Sequence, residues 1–193
     1  MPNFKIENTN LMSWEEMSGL MDDLNVKIDL YFNKKGEKVS IISPILRTGG
    51  IVGGILAIKM KVVKMLPVQF KYYYNPVEIK QLMEIPEILV DIDNPINVLL
   101  CDGNTGTGAT AIKAAKIIKE KYPTAKIYLA TITKVFNCSE KLEGIEEIFY
   151  SRMSEETHKA SEQEKKNYNL RSGITVFPWE TAEDELKDVN GVN

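Results

Sequence analysis

The sequence VLLCDGNTGTGAT, at residues 98–110, decides the fold of this chain. It joins an apolar run to a loop of small residues, and an Ala/Lys/Ile segment at residues 108–122 follows the loop. An apolar strand, a glycine-rich bend and a helix form the first part of a crossover unit between parallel strands. The stretch therefore predicts a buried strand at residues 96–101, a helix at residues 108–122 and an α/β architecture.

Strand and helix signals alternate on both sides of this stretch. Ser13 and Glu16 have the spacing of a capping box, which predicts a helix over residues 14–32. The apolar patterns also predict a helix at residues 51–63 and strands at residues 39–46, 67–74, 126–133, 145–150 and 174–177. This order predicts one domain over residues 1–193, built on a mostly parallel twisted sheet with helices on both faces.

Three segments lack these signals. Residues 75–95 are punctuated by proline and predict a mobile hood that leaves the sheet, with its working part at residues 75–87. Residues 151–171 are polar and charged, so they predict an exposed insertion, and the only histidine, His158, is expected to be exposed within it. Residues 182–193 are expected to form a frayed tail.

Composition excludes several classes of function. The chain has 193 residues and a formal net charge of −3, which gives no basic excess for nucleic-acid binding. No apolar run approaches the length of about 20 residues that a membrane span needs. Cys101 and Cys138 stand in unrelated settings and are expected to be reduced thiols. These features predict a cytoplasmic protein that binds neither nucleic acid nor membrane.

The loop that follows the apolar run suits a phosphate. Its glycines let the backbone approach an anion, its threonine hydroxyls can donate to the oxygens, and the amides at the helix start add partial positive charge. Asp102 repels a bare phosphate, so it suits a ligand with a sugar hydroxyl or a metal ion beside the phosphate. The predicted ribose phosphate site consists of Asp102, Gly103, Asn104, Thr105, Gly106, Thr107, Gly108, Ala109 and Thr110.

Residues 99–111 resemble the phosphoribosyl-pyrophosphate signature of type I phosphoribosyltransferases, in which a hydrophobic strand and an acid precede Thr-Gly-x-Thr. Most members carry a second acid where this chain has Gly103. Another acid, which assists proton transfer, often stands where this chain has Gly106. Uracil phosphoribosyltransferases resemble this chain in having fewer acids, with a single acid and a small residue before Thr-Gly.

A second resemblance lies upstream and a third at the two ends of the domain. Residues 44–49, Pro-Ile-Leu-Arg-Thr-Gly, are similar to the pyrophosphate loop of the uracil enzymes. This likeness implies that Arg47 and the amides of Thr48, Gly49 and Gly50 hold the pyrophosphate. Residues 14–16 and 177–180 instead resemble xanthine-guanine phosphoribosyltransferases and their archaeal relatives.

These resemblances imply an enzyme that transfers ribose 5-phosphate from phosphoribosyl pyrophosphate to a nucleobase, with catalytic roles for Asp102 and Arg47. A 6-oxopurine is favoured over uracil, because Lys134 matches the lysine that contacts the 6-oxo group and because of the Pro178-Trp179 ending. An aromatic residue usually stacks on the base just before that ending; Ile174, followed by Thr175, stands nearest its position and gives apolar cover without stacking. The family also implies Mg²⁺, held mainly by the pyrophosphate and ribose and indirectly by Asp102, and a homodimer or larger homo-oligomer.

Other interpretations remain open from the residues. Gly103, Gly106 and Ile174 also fit a catalytically weak or inactive protein that binds nucleotide or phosphoribosyl pyrophosphate in a regulatory role. Residues 103–110 nearly match a P-loop, although Ala109 stands where that motif requires lysine. Asp102 could also cap a turn, and Arg47 and Lys134 could be solvated surface charges.

Overall fold

The computed structural model describes residues 4–74, 76–89, 95–156 and 160–190. Its helices are α1 (Trp14–Lys35), α2 (Thr48–Lys59), α3 (Ala109–Lys121), α4 (Glu162–Tyr168) and α5 (Ala182–Asn190), with a 3₁₀ turn at Ile6–Asn8. Its strands are β1 (Thr9–Leu11), β2 (Ile41–Leu46), β3 (Val68–Tyr74), β4 (Val77–Gln81), β5 (Asn97–Thr105), β6 (Lys126–Val135), β7 (Ile148–Ser154) and β8 (Ile174–Val176).

Six strands form the central sheet in the order β4-β3-β2-β5-β6-β7. All neighbouring pairs are parallel except β3 and β4, so the mostly parallel sheet that the sequence predicts is confirmed. Alternate side chains of each strand enter two separate cores. Leu99 and Cys101 pack with α1 and α2, whereas Val98 and Leu100 pack with α3. The central strand is thereby buried on both faces.

Helix α1 confirms half of the predicted capping box. The Ser13 hydroxyl accepts a hydrogen bond from the Glu16 amide at 3.1 Å. The Glu16 carboxylate, however, pairs with Arg152 at 2.6 Å and Arg171 at 2.8 Å. Two guanidinium partners are stronger for a carboxylate than one backbone amide, so this group ties the start of α1 to β7 and to the segment before β8.

Strand β5 is longer than its apolar run predicts. The sequence predicts an end at Cys101, whereas β5 continues to Thr105 because its backbone keeps pairing with β6, with Asp102 opposite Thr131 and Thr105 opposite Lys134. The bend before α3 is therefore confined to residues 106–108.

The predicted hood and insertion are more ordered than their composition indicates. Val77–Gln81 is not part of an excursion but forms the edge strand β4, antiparallel to β3. Strand β7 runs on to Ser154, and Glu155 and Ala160 behind it are buried. The predicted tail contains helix α5. Residues 75, 90–94, 157–159 with His158, and 191–193 lie outside the described residues.

The end of the chain returns to the edge of the sheet where the parallel strands finish. Strand β8 pairs in parallel with β1, and Phe177 behind it stacks on Trp179 at 5.1 Å between ring centroids. Trp179 also lies 5.9 Å from Trp14 at the start of α1. This aromatic cluster fixes the segment 177–180. No helix in the described part of the chain is long and apolar enough to cross a membrane.

Candidate active site

A cavity of about 440 Å³ opens where β2 and β5 end. The two strands are neighbours and run parallel, so the segments that follow them meet at one edge of the sheet. The cavity is lined by Arg47 and Thr48 after β2, by Lys71 on β3, and by Asp102 and Thr110 around the bend after β5. The structure thus brings together residues from the predicted ribose phosphate site and the predicted pyrophosphate loop.

Asp102 is a half-buried carboxylate on the last part of β5. One of its oxygens accepts a hydrogen bond from the Gly103 amide at 2.8 Å. Burial raises the pKa of Asp102 to about 7, the Gly103 bond opposes that rise, and the nearby negative charge of Glu180 adds to it. A carboxylate held this way gains most from a partner that donates hydrogen bonds or brings positive charge.

The bend between β5 and α3 divides the predicted ribose phosphate residues into two groups. Gly108 has a left-handed φ of 73°, and a side chain there would meet Leu142 at 2.4 Å. Thr107 is exposed and its hydroxyl accepts from the Ala109 amide at 3.4 Å, whereas Thr110 on the first turn of α3 lines the cavity. The start of α3 therefore faces the space beside Asp102.

The side chains of Asn104 and Thr105 do not line the cavity. Thr105 is buried, and the Asn104 amide group bonds to Thr133 at 2.9 Å and to Glu156 at 2.9 Å. The sequence assigns both residues to phosphate binding, but their place within a paired strand turns their side chains into the protein. Within the motif, the cavity is consequently lined by Asp102 and by Thr110 on the first turn of α3.

The segment after β2 is a helix start rather than a loose loop. The Leu46–Arg47 peptide bond is cis, and α2 begins at Thr48, earlier than the predicted residue 51. A Cβ at Gly49 would lie 2.1 Å from the carbonyl oxygen of Cys101. Only glycine lets α2 pack this closely on the end of β5, and that packing sets the positive end of the α2 dipole beside the cavity.

Glu180 is a residue of this region to which the sequence assigned no role. Its carboxylate accepts from the Phe177 amide at 3.0 Å and from the Thr48 hydroxyl at 3.4 Å. Burial raises the pKa of Glu180, while these hydrogen bonds and the charge of Arg47 lower it. Glu180 also lines a second cavity of about 530 Å³, which shares Arg47, Thr48 and Lys71 with the first. The only signal in the sequence was its place after Pro-Trp.

The three residues predicted to bind the base are engaged within the protein. Lys134 is 1% exposed, and its ammonium group donates to the Cys138 carbonyl at 3.0 Å and the Glu140 carboxylate at 2.9 Å. Ile174 and Thr175 are buried in β8. Both contacts hold the Lys134 ammonium group inside the protein, and Lys134 does not line either of the cavities described above.

Gly103 occupies the position where most phosphoribosyltransferases carry a second acid. A Cβ at Gly103 would lie 2.4 Å from a methyl carbon of Thr48 and 3.0 Å from the Phe177 ring. The space for another side chain is thus already filled by α2 and by the segment after β8. Glycine at this position is required by packing in this chain.

We therefore expect Gly103→Ala to lower the free energy of unfolding by about 1–3 kcal/mol, the usual range for overpacking. Thr48→Ser removes the nearer obstacle and keeps the hydroxyl. Chemical denaturation of the two single variants and the double variant should show the double variant recovering at least about 0.5 kcal/mol of the loss. Strictly additive effects would contradict this packing account.

Comparison with known proteins gives a fold assignment. No family model and no curated protein match the chain. A purine phosphoribosyltransferase from Pyrococcus horikoshii superposes with a TM-score of 0.64 at 18% identity, covering 90% of this chain and 95% of that one. The xanthine-guanine-hypoxanthine phosphoribosyltransferase of Helicobacter pylori gives 0.61 at 15%, covering 93% and 99%. A Neisseria gonorrhoeae protein with bound ppGpp gives 0.58 at 14%, covering 96% and 97%.

The fold is that of the type I phosphoribosyltransferases, as the resemblance in sequence implies. At these identities the likeness defines the architecture, and the activity of this chain has to be argued from its own residues.

Proposed function

We propose that this protein transfers ribose 5-phosphate from phosphoribosyl pyrophosphate to a nucleobase and releases pyrophosphate. The observation that carries the proposal is the cavity shared by Arg47, Thr48, Asp102 and Thr110. The cavity combines the Arg47 cation and the free amides at the start of α2, the free amides at the start of α3, and one carboxylate, that of Asp102. This combination suits a ligand that has phosphate groups at both ends and sugar hydroxyls between them.

Different residues bind different parts of phosphoribosyl pyrophosphate. The bend at residues 106–108 and the start of α3, with the Thr110 hydroxyl, hold the 5-phosphate, and Asp102 accepts from a ribose hydroxyl. Arg47 and the first amides of α2, those of Thr48, Gly49 and Gly50, hold the pyrophosphate. Lys71, which lines both cavities, adds a second cation on that side. Catalysis then depends on positioning the anomeric carbon and stabilising the leaving charge.

Mg²⁺ is part of the proposal, and the acids present fit it. Asp102 and Glu180 lie close enough for the charge of Glu180 to raise the pKa of Asp102, a repulsion that a cation would relieve. The described residues contain no cluster of three or more acidic, histidine or cysteine ligands, so the donor itself would supply most of the coordination. When bound, the ion would neutralise charge that develops on the pyrophosphate.

A 6-oxopurine is proposed as the acceptor in preference to uracil. The Pro178-Trp179 segment and the purine substrates in the names of the Pyrococcus and Helicobacter proteins support this choice. Lys134 supports it less than its position in the sequence suggests, because its ammonium group already pairs with Glu140.

A second candidate function is a regulatory protein that binds phosphoribosyl pyrophosphate or a nucleotide without efficient transfer. The packed space at Gly103, which leaves no place for a second acid, favours it. The internal ion pair of Lys134 favours it too. The Neisseria protein, which holds ppGpp on the same fold, is an example of nucleotide binding by this architecture.

Two measurements separate the candidates. We expect phosphoribosyl pyrophosphate with Mg²⁺ to raise the melting temperature, and we expect pyrophosphate release with guanine, hypoxanthine or xanthine to exceed release with uracil. Donor binding without turnover of any base would favour the regulatory function. Absence of a thermal shift with the donor would rule out the transferase and leave only a regulatory protein that binds a nucleotide. Gel filtration of the same sample tests the proposed homodimer or larger homo-oligomer.

A further inference from the structure

Glu156 places a carboxylate at the end of β7 that the donor site does not use. It lies two residues beyond Ser154, with φ at 30°, a conformation that a non-glycine residue adopts only when its surroundings hold it. The carboxylate accepts from the Asn104 side-chain amide at 2.9 Å, the Ser154 hydroxyl at 3.2 Å and the Thr175 backbone amide. Asn104 is in turn held by the Thr133 hydroxyl at 2.9 Å.

The strand order puts this carboxylate on the acceptor side of the donor site. Strands β2, β5, β6 and β7 are successive parallel neighbours, so their carboxyl ends lie along one edge of the sheet. Arg47 follows β2, on one side of Asp102, and Glu156 follows β7, on the other. In a displacement at the anomeric carbon the acceptor approaches from the side opposite the leaving group. With the pyrophosphate on Arg47, the acceptor approaches from the side of β6 and β7.

The chemistry of Glu156 suits a ligand that donates hydrogen bonds. The three contacts described for it are with neutral donors, and burial raises its pKa although those contacts oppose the rise. A carboxylate has about four acceptor positions, so three internal bonds leave room for a further N–H group. Glu156 itself is partly exposed. A ligand that presents a carbonyl oxygen to this carboxylate would be repelled.

We propose that Glu156 accepts from the amino group of a purine acceptor that carries this group beside its ring N–H, and rejects a purine with a carbonyl in place of the amino group. The inference rests on the proposed function. It assigns specificity to a residue outside both phosphate-binding motifs, in the segment that the sequence marks only as a polar insertion.

Binding of nucleoside monophosphates tests this assignment without requiring turnover. Guanine offers the ring N–H and the amino group, hypoxanthine offers the ring N–H alone, and xanthine has a carbonyl where guanine has the amino group. By isothermal titration, the wild-type protein is expected to bind the guanine nucleotide at least tenfold more tightly than the xanthine nucleotide, with the hypoxanthine nucleotide between them.

Glu156→Gln replaces one carboxylate oxygen with an amide NH2 group of similar size, which donates hydrogen bonds. The variant is expected to reduce the guanine-to-xanthine ratio at least tenfold, chiefly by binding the xanthine nucleotide better. Glu155→Gln is the matched control. Its carboxylate bonds to the Ala160 amide at 2.9 Å and lies 3.6 Å from the Lys165 ammonium, so the same substitution there should leave the ratio unchanged.

The outcomes separate the inference from the proposed function. A wild-type protein that binds the nucleotides without preference, or binds none of them, overturns the role of Glu156, as does an unchanged ratio in Glu156→Gln. The wild-type comparison decides the matter even if that variant fails to fold. A guanine preference that Glu156→Gln abolishes, in a protein that transfers no base, upholds the inference while the proposed transferase activity fails.

Discussion

Gly49→Ala is expected to destabilise the protein by about 3 kcal/mol, at the upper end of what overpacking usually costs, and to abolish donor binding. The added Cβ would lie 2.1 Å from the Cys101 carbonyl oxygen and 3.3 Å from the Cα of Asp102. Both obstacles are backbone atoms of the central strand, which cannot rotate away as a side chain can. Relief requires α2 to move off β5, and that movement would separate Arg47 from Asp102.

Gly54→Ala is the matched control for this prediction. Gly54 lies in the same helix, and a Cβ there would meet nothing within 4 Å. Alanine should therefore raise the free energy of unfolding by about 0.5–1 kcal/mol through its better helix propensity. Chemical denaturation and the donor-induced thermal shift should separate the two variants. If Gly49→Ala binds the donor as the wild type does, the contact between α2 and β5 does not shape the cavity.

The local patterns of the sequence predicted the sheet well. The apolar runs at residues 39–46 and 96–101 lie in neighbouring parallel strands, and the two small-residue segments behind them line one cavity. Such runs report burial on both faces of a strand, which is a local property. The end of β5, in contrast, is not set by local sequence, because pairing with β6 extends the strand through polar residues to Thr105.

Side chains whose contacts depend on distant segments were harder to place from the sequence. A lysine at a strand end, such as Lys134, suits either solvent or a ligand, and its burial depends on Glu140 in the following loop. Glu156 lies in a polar stretch without an apolar stripe, yet it reaches Asn104 because β7 continues further than its apolar residues indicate. Contacts of this kind depend on strand lengths and loop paths that single-sequence patterns do not encode.

The packing around Gly103 links the two parts of the site. Thr48 from the pyrophosphate segment and Phe177 from the end of the chain occupy the place of a second acid, while Glu180 on that same final segment brings a carboxylate to Thr48. The final segment thus brings a carboxylate to Thr48, the residue that packs against Gly103. Asp102 remains the only acid within the motif itself, so its substitution tests the site most directly.

Asp102→Asn is expected to weaken donor binding or turnover at least tenfold, on the order of 1.4 kcal/mol, because the amide removes the charge that attracts ribose hydroxyls and a cation. The same substitution should stabilise the free protein at neutral pH, since it removes a half-buried carboxylate that lies near the charge of Glu180. Asp22→Asn is the control. Asp22 is exposed on α1 and pairs with Lys59, so removal of its charge should alter neither donor binding nor the pH dependence of stability between about pH 4 and pH 7.

The stabilisation of the protein by Asp102→Asn is expected to depend on pH. The pKa of Asp102 is raised to about 7 from an ordinary value of 3.8, so between these pH values the folded protein binds more protons at this group than the unfolded chain does. Its contribution to stability is therefore full below pH 3.8 and is lost as the pH rises through 7. Asparagine does not titrate. Denaturation at a series of pH values should show the advantage of Asp102→Asn over the wild type growing between about pH 4 and pH 7 and levelling off above that range. If the difference in free energy of unfolding between Asp102→Asn and the wild type were constant with pH, the Asp102 carboxylate would not be destabilised by its surroundings. Its pKa would then not be raised, and this reason for expecting a cation or a sugar hydroxyl beside it would fail.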